Sequence, residues 1–354
     1  MKILTTTLHS IDNCGSCLQA YALQQFVLQE GHENEIIDYR PDYAKNNGAP
    51  LKYFIKKIIF GKAIKRREQI FQEFVDNYLC VTKQRFHTYG EVKEANLQAD
   101  VFVTGSDQVW NPYFPCGRDS VYYLEFTSGK KISYAASIGK NPIPENELDY
   151  VAEKVKDFSA ISIREKSSVN FLKSKNLNAE WVCDPTLLFD KSFYEKIIIK
   201  KDIQKYILVY LVEKSELLDS ILDYYKNEQG YKIVYVGSFL NRCKCDVNYT
   251  DVGPREFLGL ISGAEFVLAG SFHALIFSCI FQKEFAILPY KNNARMEEFL
   301  QQFDLYDRYI SDISDLNKVT PISWNALGEK MDIFIGKSKK WLKRNIEEIE
   351  KNIL

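Results

Sequence analysis

Ser271-Phe272-His273 follows an apolar run, EFVLAG, that reads as a strand, and heads a segment, ALIFSCIF, that reads as a helix. A helix start concentrates backbone N–H donors and partial positive charge, which together hold phosphate or carboxylate. An imidazole beside a bound anion can pass a proton to or from it, so His273 is the candidate acid/base residue and the Ser271 and Phe272 amides are candidate anion donors. Three other polar stretches follow strand-like runs in the same way. His9 to Ser16 (HSIDNCGS) places His9 past the first strand and Asn13 where it can cap the next helix. Gly105 to Asn111 (GSDQVWN) follows VFVT and sets Asp107, Gln108 and Asn111 around Trp110, with Trp110 read as exposed. Arg164-Glu165-Lys166 follows AISI. Ligands of open α/β sheets bind beyond the carboxyl ends of the strands, so all four stretches are candidate ligand positions.

The remaining chemistry-bearing residues point elsewhere. His32 and His87 lie in polar, turn-like stretches and read as solvated. Cys14-x-x-Cys17 and Cys243-x-Cys245 have poor zinc spacing, since Cys17 falls among the apolar positions of a helix and the second pair lacks the usual gap. No metal site is expected. Eight Cys in 354 residues are too dilute for a disulfide framework and read as reduced thiols. Neither GxGxxG nor a Walker loop occurs, which removes the main support for dinucleotide dehydrogenase and P-loop NTPase readings.

The elements that must position these residues alternate strand and helix. Lys2–Thr6, Glu35–Asp38, Val101–Thr104, Lys131–Ala136, Ala160–Arg164 and Trp181–Cys183 read as strands. Cys14–Glu30 reads as a helix stopped by Gly31, with further helices at Glu145–Asp157 and Lys166–Lys173. The pattern restarts after Asp184-Pro185. There Tyr206–Val212, Lys232–Val236, Glu265–Leu268 and Phe285–Leu288 read as strands, with helices near Ser215–Glu228, Pro254–Ile261 and Phe272–Phe281. The expected fold class is α/β: two Rossmann-like domains facing a cleft. Domain one spans residues 1–190, with a basic helical insertion near 51–80, and domain two spans 191–325. A C-terminal helix over 326–354, striped by Ile335, Leu342, Ile346, Ile349 and Ile353, packs back on the first lobe.

Lys and Arg number 46 against 47 Asp and Glu, a balance of −1 that argues against a nucleic-acid partner. No run reaches the ~18 to 20 apolar residues of a membrane span, and MKILTTTLHSIDN turns polar too early for a secretory signal, so a cytoplasmic location is expected. Leu51 to Arg67 (LKYFIKKIIFGKAIKRR) is basic and interleaved with apolar and aromatic residues. Two readings of it stand side by side: a peripheral contact with the inner membrane face, or an insertion packed on the sheet with a solvated Lys face.

Six collinear stretches resemble the polysaccharide pyruvyl transferase family: NCGSCLQAYALQ (Asn13–Gln24), FVTGSDQVWNP (Phe102–Pro112), KISYAASIG (Lys131–Gly139), ISIREK (Ile161–Lys166), CDPTLL (Cys183–Leu188) and GSFHALIFSCIFQKEF (Gly270–Phe285). The resemblance implies a GT-B-like fold and transfer of pyruvate from phosphoenolpyruvate, as a ketal, onto two hydroxyls of a hexose. The hexose would be galactose-like, in a cell-surface polysaccharide precursor that is free or lipid-linked. No cofactor is implied beyond that donor. The donor would be bound by Gly105, Arg164, the Ser271 and Phe272 amides and Arg295, with the C-terminal domain as the donor side and His273 in acid/base work. The N-terminal domain would take the acceptor through His9, Asn13, Asp107, Gln108, Trp110 and Asn111. Many family members carry Arg-Leu-His where this chain has Ser271-Phe272-His273, so either Arg255, Lys291 or Arg295 replaces the missing charge or the donor differs. Two rivals stay open. One is a glycosyltransferase of similar fold using a nucleotide sugar, with Glu256 or Glu265 on the ribose. The other is a non-catalytic glycan-binding relative.

Overall fold

Lys2–Thr6 (β1) and Val101–Thr104 (β4) are buried almost without break because they lie at the centre of a parallel sheet; only Lys2 among them is exposed. The computed structural model describes residues 1–44, 50–139, 143–211, 217–237, 243–288 and 294–353. The chain divides into two compact units: residues 1–56, 71–188 and 332–354 form the first, and 57–70 and 189–331 the second.

In unit 1 the order along the chain is β1, α1 (Cys14–Gln29), β2 (Glu33–Tyr39), α2 (Pro50–Tyr78), β3 (Val81–Phe86), α3 (Tyr89–Glu94), β4, β5 (Lys130–Ser133), α4 (Glu145–Val155), β6 (Ile161–Ile163), α5 (Lys166–Ser174) and β7 (Ala179–Trp181). The sheet runs β3-β2-β1-β4-β5, all parallel, with β6 and β7 as a separate parallel pair. Single bridges from Asp107 to Ala136 and from Ala136 to Ile163 connect the strand ends where the polar loops emerge. Helix α1 is buried on nearly every face, which fits its Leu18, Ala22, Leu23, Phe26 and Val27. It stops at Gly31, whose φ of +86° suits only a residue without Cβ. Strand β3 went unread in the sequence because VTKQRF exposes Lys83, Gln84 and Arg85 at the sheet edge and lacks the apolar run of a central strand.

Unit 2 repeats the construction with α6 (Lys191–Glu195), β8 (Tyr206–Leu211), α7 (Leu218–Gln229), β9 (Lys232–Val236), β10 (Val247–Tyr249), α8 (Pro254–Gly263), β11 (Phe266–Gly270), α9 (Phe272–Ile280), β12 (Glu284–Ile287) and α10 (Ala294–Gln302). Its sheet order, β10-β9-β8-β11-β12, matches that of unit 1 position for position. The middle of α2 groups with this unit. Arg66 Nε lies 2.9 Å from Asp251 Oδ2, and Ile70 sits so close to Gly253 that a Cβ there would come within 2.1 Å of the Ile70 Cγ2. The side chains of residues 51–59, where the basic aromatic segment begins, lie outside the described residues. Among the described residues no helix is long and apolar enough to cross a membrane.

The last helix, α11 (Trp324–Lys351), starts in unit 2 and from Asp332 onward belongs to unit 1. Leu342, Ile346 and Ile349 are buried there, Ile335 is half-buried, and Ile353 beyond the helix is exposed. Phe334 lies with its ring centroid 4.4 Å from that of Trp181, and the Cys183 amide donates to Ser338 Oγ at 2.9 Å. Truncating Leu342 to Ala leaves a cavity under α11 and should cost about 3 kcal/mol of unit 1 stability in denaturant unfolding, while Ile353→Ala should cost nothing measurable.

Candidate functional site

At the carboxyl ends of β1, β4 and β6, unit 1 gathers a buried polar network. Arg164, one residue past β6, is almost wholly buried. Its Nη1 donates to Asp184 Oδ2 at 2.6 Å and lies 3.4 Å from Ser106 Oγ, while Nη2 is 3.9 Å from Asp107 Oδ1 and Nε is 3.8 Å from Glu165 Oε1. One guanidinium against three carboxylates gives +1 − 3 = −2 with all four ionised. Burial opposes the charge on Arg164, but Asp184, Glu165 and Asp107 outweigh it and hold the guanidinium above its ordinary pKa. The expectation that Arg164 offers its fork to an anionic donor therefore changes. As placed, its charge is answered from inside the protein, and an incoming phosphate would meet three acids.

Asp107 has a φ of +76°, a left-handed geometry that Asp tolerates better than most side chains. It accepts from the Ser16 hydroxyl, and its second oxygen accepts from the Gln108 amide at 2.8 Å. Ser137 N donates to the Asp107 carbonyl at 2.9 Å, and Trp110 N to the Ser137 carbonyl at 3.2 Å. Strain held by this many contacts is a mark of a functional position.

Several sequence expectations need correction here. Trp110 is fully buried, stacked on Tyr123 with centroids 5.7 Å apart and donating Nε1–H to the Tyr122 carbonyl at 2.8 Å, so it cannot lie against a sugar. The exposed rings of that loop are Tyr113 and Phe114, which the sequence reading missed although they follow Trp110 by only a few residues. The Gly105 amide donates to the Thr6 carbonyl at 2.8 Å and is not offered to a ligand. A Cβ at Gly105 would meet Thr7, Leu23 and Thr5 atoms at 3.1 to 3.3 Å, so the glycine serves packing of β4 against β1 and α1. Asn111 is buried and gives its amide to Gln108 Oε1 at 2.6 Å. Asn13 is exposed and caps α1, accepting from Gly15 N at 2.9 Å and Ser16 N at 3.2 Å.

His9 is fully buried, with Nδ1 3.2 Å from the Thr7 carbonyl and Nε2 3.1 Å from Asp38 Oδ1, and does not face a ligand. Asp38 is a hub. Arg40 Nε donates to its Oδ1 at 2.5 Å and Arg85 Nε to its Oδ2 at 2.9 Å. Burial opposes ionisation of Asp38, and the hydrogen bonds from His9, Arg40 and Arg85 outweigh it, holding the carboxyl well below the usual carboxylate range. No spacing in the sequence announces this hub, because its members come from β2, β3 and the segments that follow β1 and β2.

In unit 2, Ser271 caps α9 through Oγ, which accepts from Ala274 N at 3.2 Å. His273 is buried in the first turn, edge-on to Phe272 with ring centroids 5.7 Å apart. Arg295, on α10, places its guanidinium carbon 5.8 Å from the Phe272 ring centroid, which supplies a cation beside the helix start. Arg255 donates Nε–H to the Ile197 carbonyl at 2.7 Å and so ties α8 to the segment after α6. Lys291 lies outside the described residues. Among the described residues no group of three or more His, Cys, Asp or Glu is arranged to hold a metal ion.

The family model for polysaccharide pyruvyl transferases matches residues 13–292, a span that holds the Asp107 loop, Arg164 and the start of α9. The chain belongs to the polysaccharide pyruvyl transferase family. It is thus a transferase, in a family that works on polysaccharides. No curated protein matches it by sequence. Similar solved structures include UDP-GlcNAc 2-epimerase from Methanocaldococcus jannaschii (14% identity, TM-score 0.55, covering 98% of this chain and 99% of that one). The UDP-N-acetylglucosamine 2-epimerase from Rickettsia bellii matches at 10% identity and TM-score 0.59, covering 99% and 97%. The Neisseria meningitidis UDP-GlcNAc 2-epimerase bound to UDP-GlcNAc matches at 11% and 0.55, covering 98% and 100%. At such identities the likeness is one of fold, and that fold is GT-B. In this pyruvyl transferase family member, the two sheets of identical order are the halves of that fold.

The Asp38 hub yields a pH signature. Its folded pKa lies below the unfolded value of about 4, so its contribution to stability is complete above that value and is lost as pH falls through the folded pKa. Asp38→Asn should cost about 3 kcal/mol at pH 7 and flatten the acid limb of unit 1 unfolding, as read by denaturant titrations at several pH values.

Proposed function

We propose that this family member transfers pyruvate from phosphoenolpyruvate, as a ketal, onto two hydroxyls of a galactose-like hexose in a cell-surface polysaccharide precursor. The observation that carries the reading is the start of α9. A cap and a buried imidazole share the first turn of α9, and the Arg295 guanidinium of α10 lies over the Phe272 ring of that turn, which suits a donor bearing both phosphate and carboxylate. In this reading unit 2 takes the donor, and the polar loop of unit 1 around Asp107 and Gln108 takes the acceptor.

The chemistry balances without a redox partner. One sugar hydroxyl adds to C2 of phosphoenolpyruvate while the methylene carbon takes a proton and becomes the methyl group. The C2–O bond to phosphate then breaks, the second hydroxyl closes the ketal, and its proton leaves with the phosphate. His273 is assigned the proton transfer at the donor, and Arg295 with the first-turn amides the stabilisation of the departing phosphate. Arg164 is left to its pair with Asp184 and orders the acceptor loop.

A lipid-linked precursor is a natural acceptor for an enzyme that contacts the inner membrane face, and the Leu51–Arg67 segment is the basic surface assigned to that contact. Co-sedimentation with vesicles containing anionic lipid tests this part separately.

Purified protein with phosphoenolpyruvate and a panel of free, nitrophenyl and lipid-linked hexosides should release phosphate and form a ketal detectable by mass spectrometry. His273→Ala should lower kcat by roughly 10² to 10⁴. Arg295→Ala should raise KM for phosphoenolpyruvate about tenfold, the size of one lost charge-assisted hydrogen bond. Release of phosphate at the same rate in His273→Ala, or no release with any acceptor, would overturn the assignment.

A further inference from the structure

Burial of Trp110 leaves the loop after β4 with two exposed rings, Tyr113 at 53% and Phe114 at 47% exposure. Exposure of one large apolar side chain is ordinary, but two adjacent rings on an immobilised loop are not. Prolines 112 and 115 flank them and restrict the backbone on both sides. Asn111 fixes what lies between. Its Oδ1 accepts from Tyr113 N at 3.0 Å, its carbonyl from Phe114 N at 3.0 Å, and its side-chain amide donates to Gln108 Oε1 at 2.6 Å. Two glycines pack against the same residue: a Cβ at Gly117 would fall 2.0 Å from the Asn111 carbonyl oxygen, and one at Gly139, whose φ is +90°, would fall 2.3 Å from Asn111 Nδ2. The carbonyl of the half-buried Gln108 amide is thus occupied, and its NH₂ group has no hydrogen-bond acceptor among the described residues.

We infer that Tyr113 and Phe114 form the platform on which the acceptor sugar lies, with the Gln108 amide donating to one of its hydroxyls. The inference rests on the reading that the acceptor is a hexose. A pyranose presents C–H groups on one face and hydroxyls at its rim, so it needs an apolar plane and a donor beside it. Asn111 holds both in fixed register. Rigidity matters because a sugar binds weakly and gains most from groups that lose no freedom on binding. The loop stands past the carboxyl end of β4, the edge at which open α/β sheets take their ligands. A protein partner is a poorer fit. Two rings offer a few hundred Å² at most, against about 800 Å² per side in a stable interface.

The test uses the full chain, with methyl β-galactopyranoside and methyl β-glucopyranoside as probes in saturation-transfer NMR without phosphoenolpyruvate. Ring protons of one hexoside should be saturated by the wild type and not by the Tyr113→Ala/Phe114→Ala double variant. The conservative Phe114→Tyr should retain the signal, and because both rings are exposed the melting temperature should not move. In turnover, the double variant should raise KM for the acceptor roughly tenfold, about 1.4 kcal/mol, with KM for phosphoenolpyruvate unchanged. Equal saturation by wild type and double variant, or saturation of neither sugar, overturns the platform. Acceptor-dependent phosphate release that is normal in the double variant sinks the platform and leaves the pyruvyl transfer standing. Sugar binding lost in the double variant, without phosphate release from wild type, does the reverse.

Discussion

A single buried guanidinium organises the carboxyl end of the unit 1 sheet. Arg164 draws together Asp184 from the junction after β7, Asp107 from the loop after β4, and its own neighbour Glu165. Each acid then holds something else. Asp184 Oδ1 accepts from the Thr186 amide and hydroxyl, which shapes the 3₁₀ turn Pro185–Leu188. Glu165 accepts from Ser137 Oγ and Ile138 N, and Asp107 from Ser16 on α1. Removing the cation would leave three carboxylates with no counter-charge in a buried place, so substitution here acts on folding before it acts on any ligand. The close packing of Ser, Asp, Glu and Arg in the family stretches is accounted for by this network before any substrate is invoked.

The two sheets share one strand order, yet the units present different chemistry at their carboxyl ends. Unit 1 offers carboxylates, hydroxyls and exposed rings, whereas the start of α9 in unit 2 offers a histidine, helix amides and a cation. The proposed reaction, with a neutral acceptor rich in hydroxyls and a donor bearing two anionic groups, asks for that division. The near-zero net charge of the chain conceals it, because local excesses of opposite sign cancel in the total.

What could be read from the sequence followed physical kind. Buried parallel strands such as β1, β4 and β9 declare themselves as apolar runs, and α1 carries both its cap and its glycine stop. Edge strands do not: β3 and β10 are half solvated, and VTKQRF or VNY looks like loop. Site residues divided the same way. Ser271 and His273 were legible because a cap and a first turn are local features. The Asp38 hub and the Arg164 network were not, since their partners meet through sheet topology across as many as 91 positions. Trp110 misled because polar neighbours on both sides suggest solvent, while the 3₁₀ turns that carry Tyr122 and Tyr123 fold back over the indole.

The serine in Ser271-Phe272-His273 fits the same logic. Serine is a strong N-cap and arginine a poor one, so Ser271 at the first position of the motif secures a hydrogen bond from Ala274 N that an arginine there would not. The charge returns from another element, with Arg295 on α10 standing over the Phe272 ring. An aromatic ring at the middle position is what lets that guanidinium settle there, since a cation is drawn to a π face and not to a leucine side chain. In this chain the serine secures the helix that carries His273, and the phenylalanine seats Arg295 beside it.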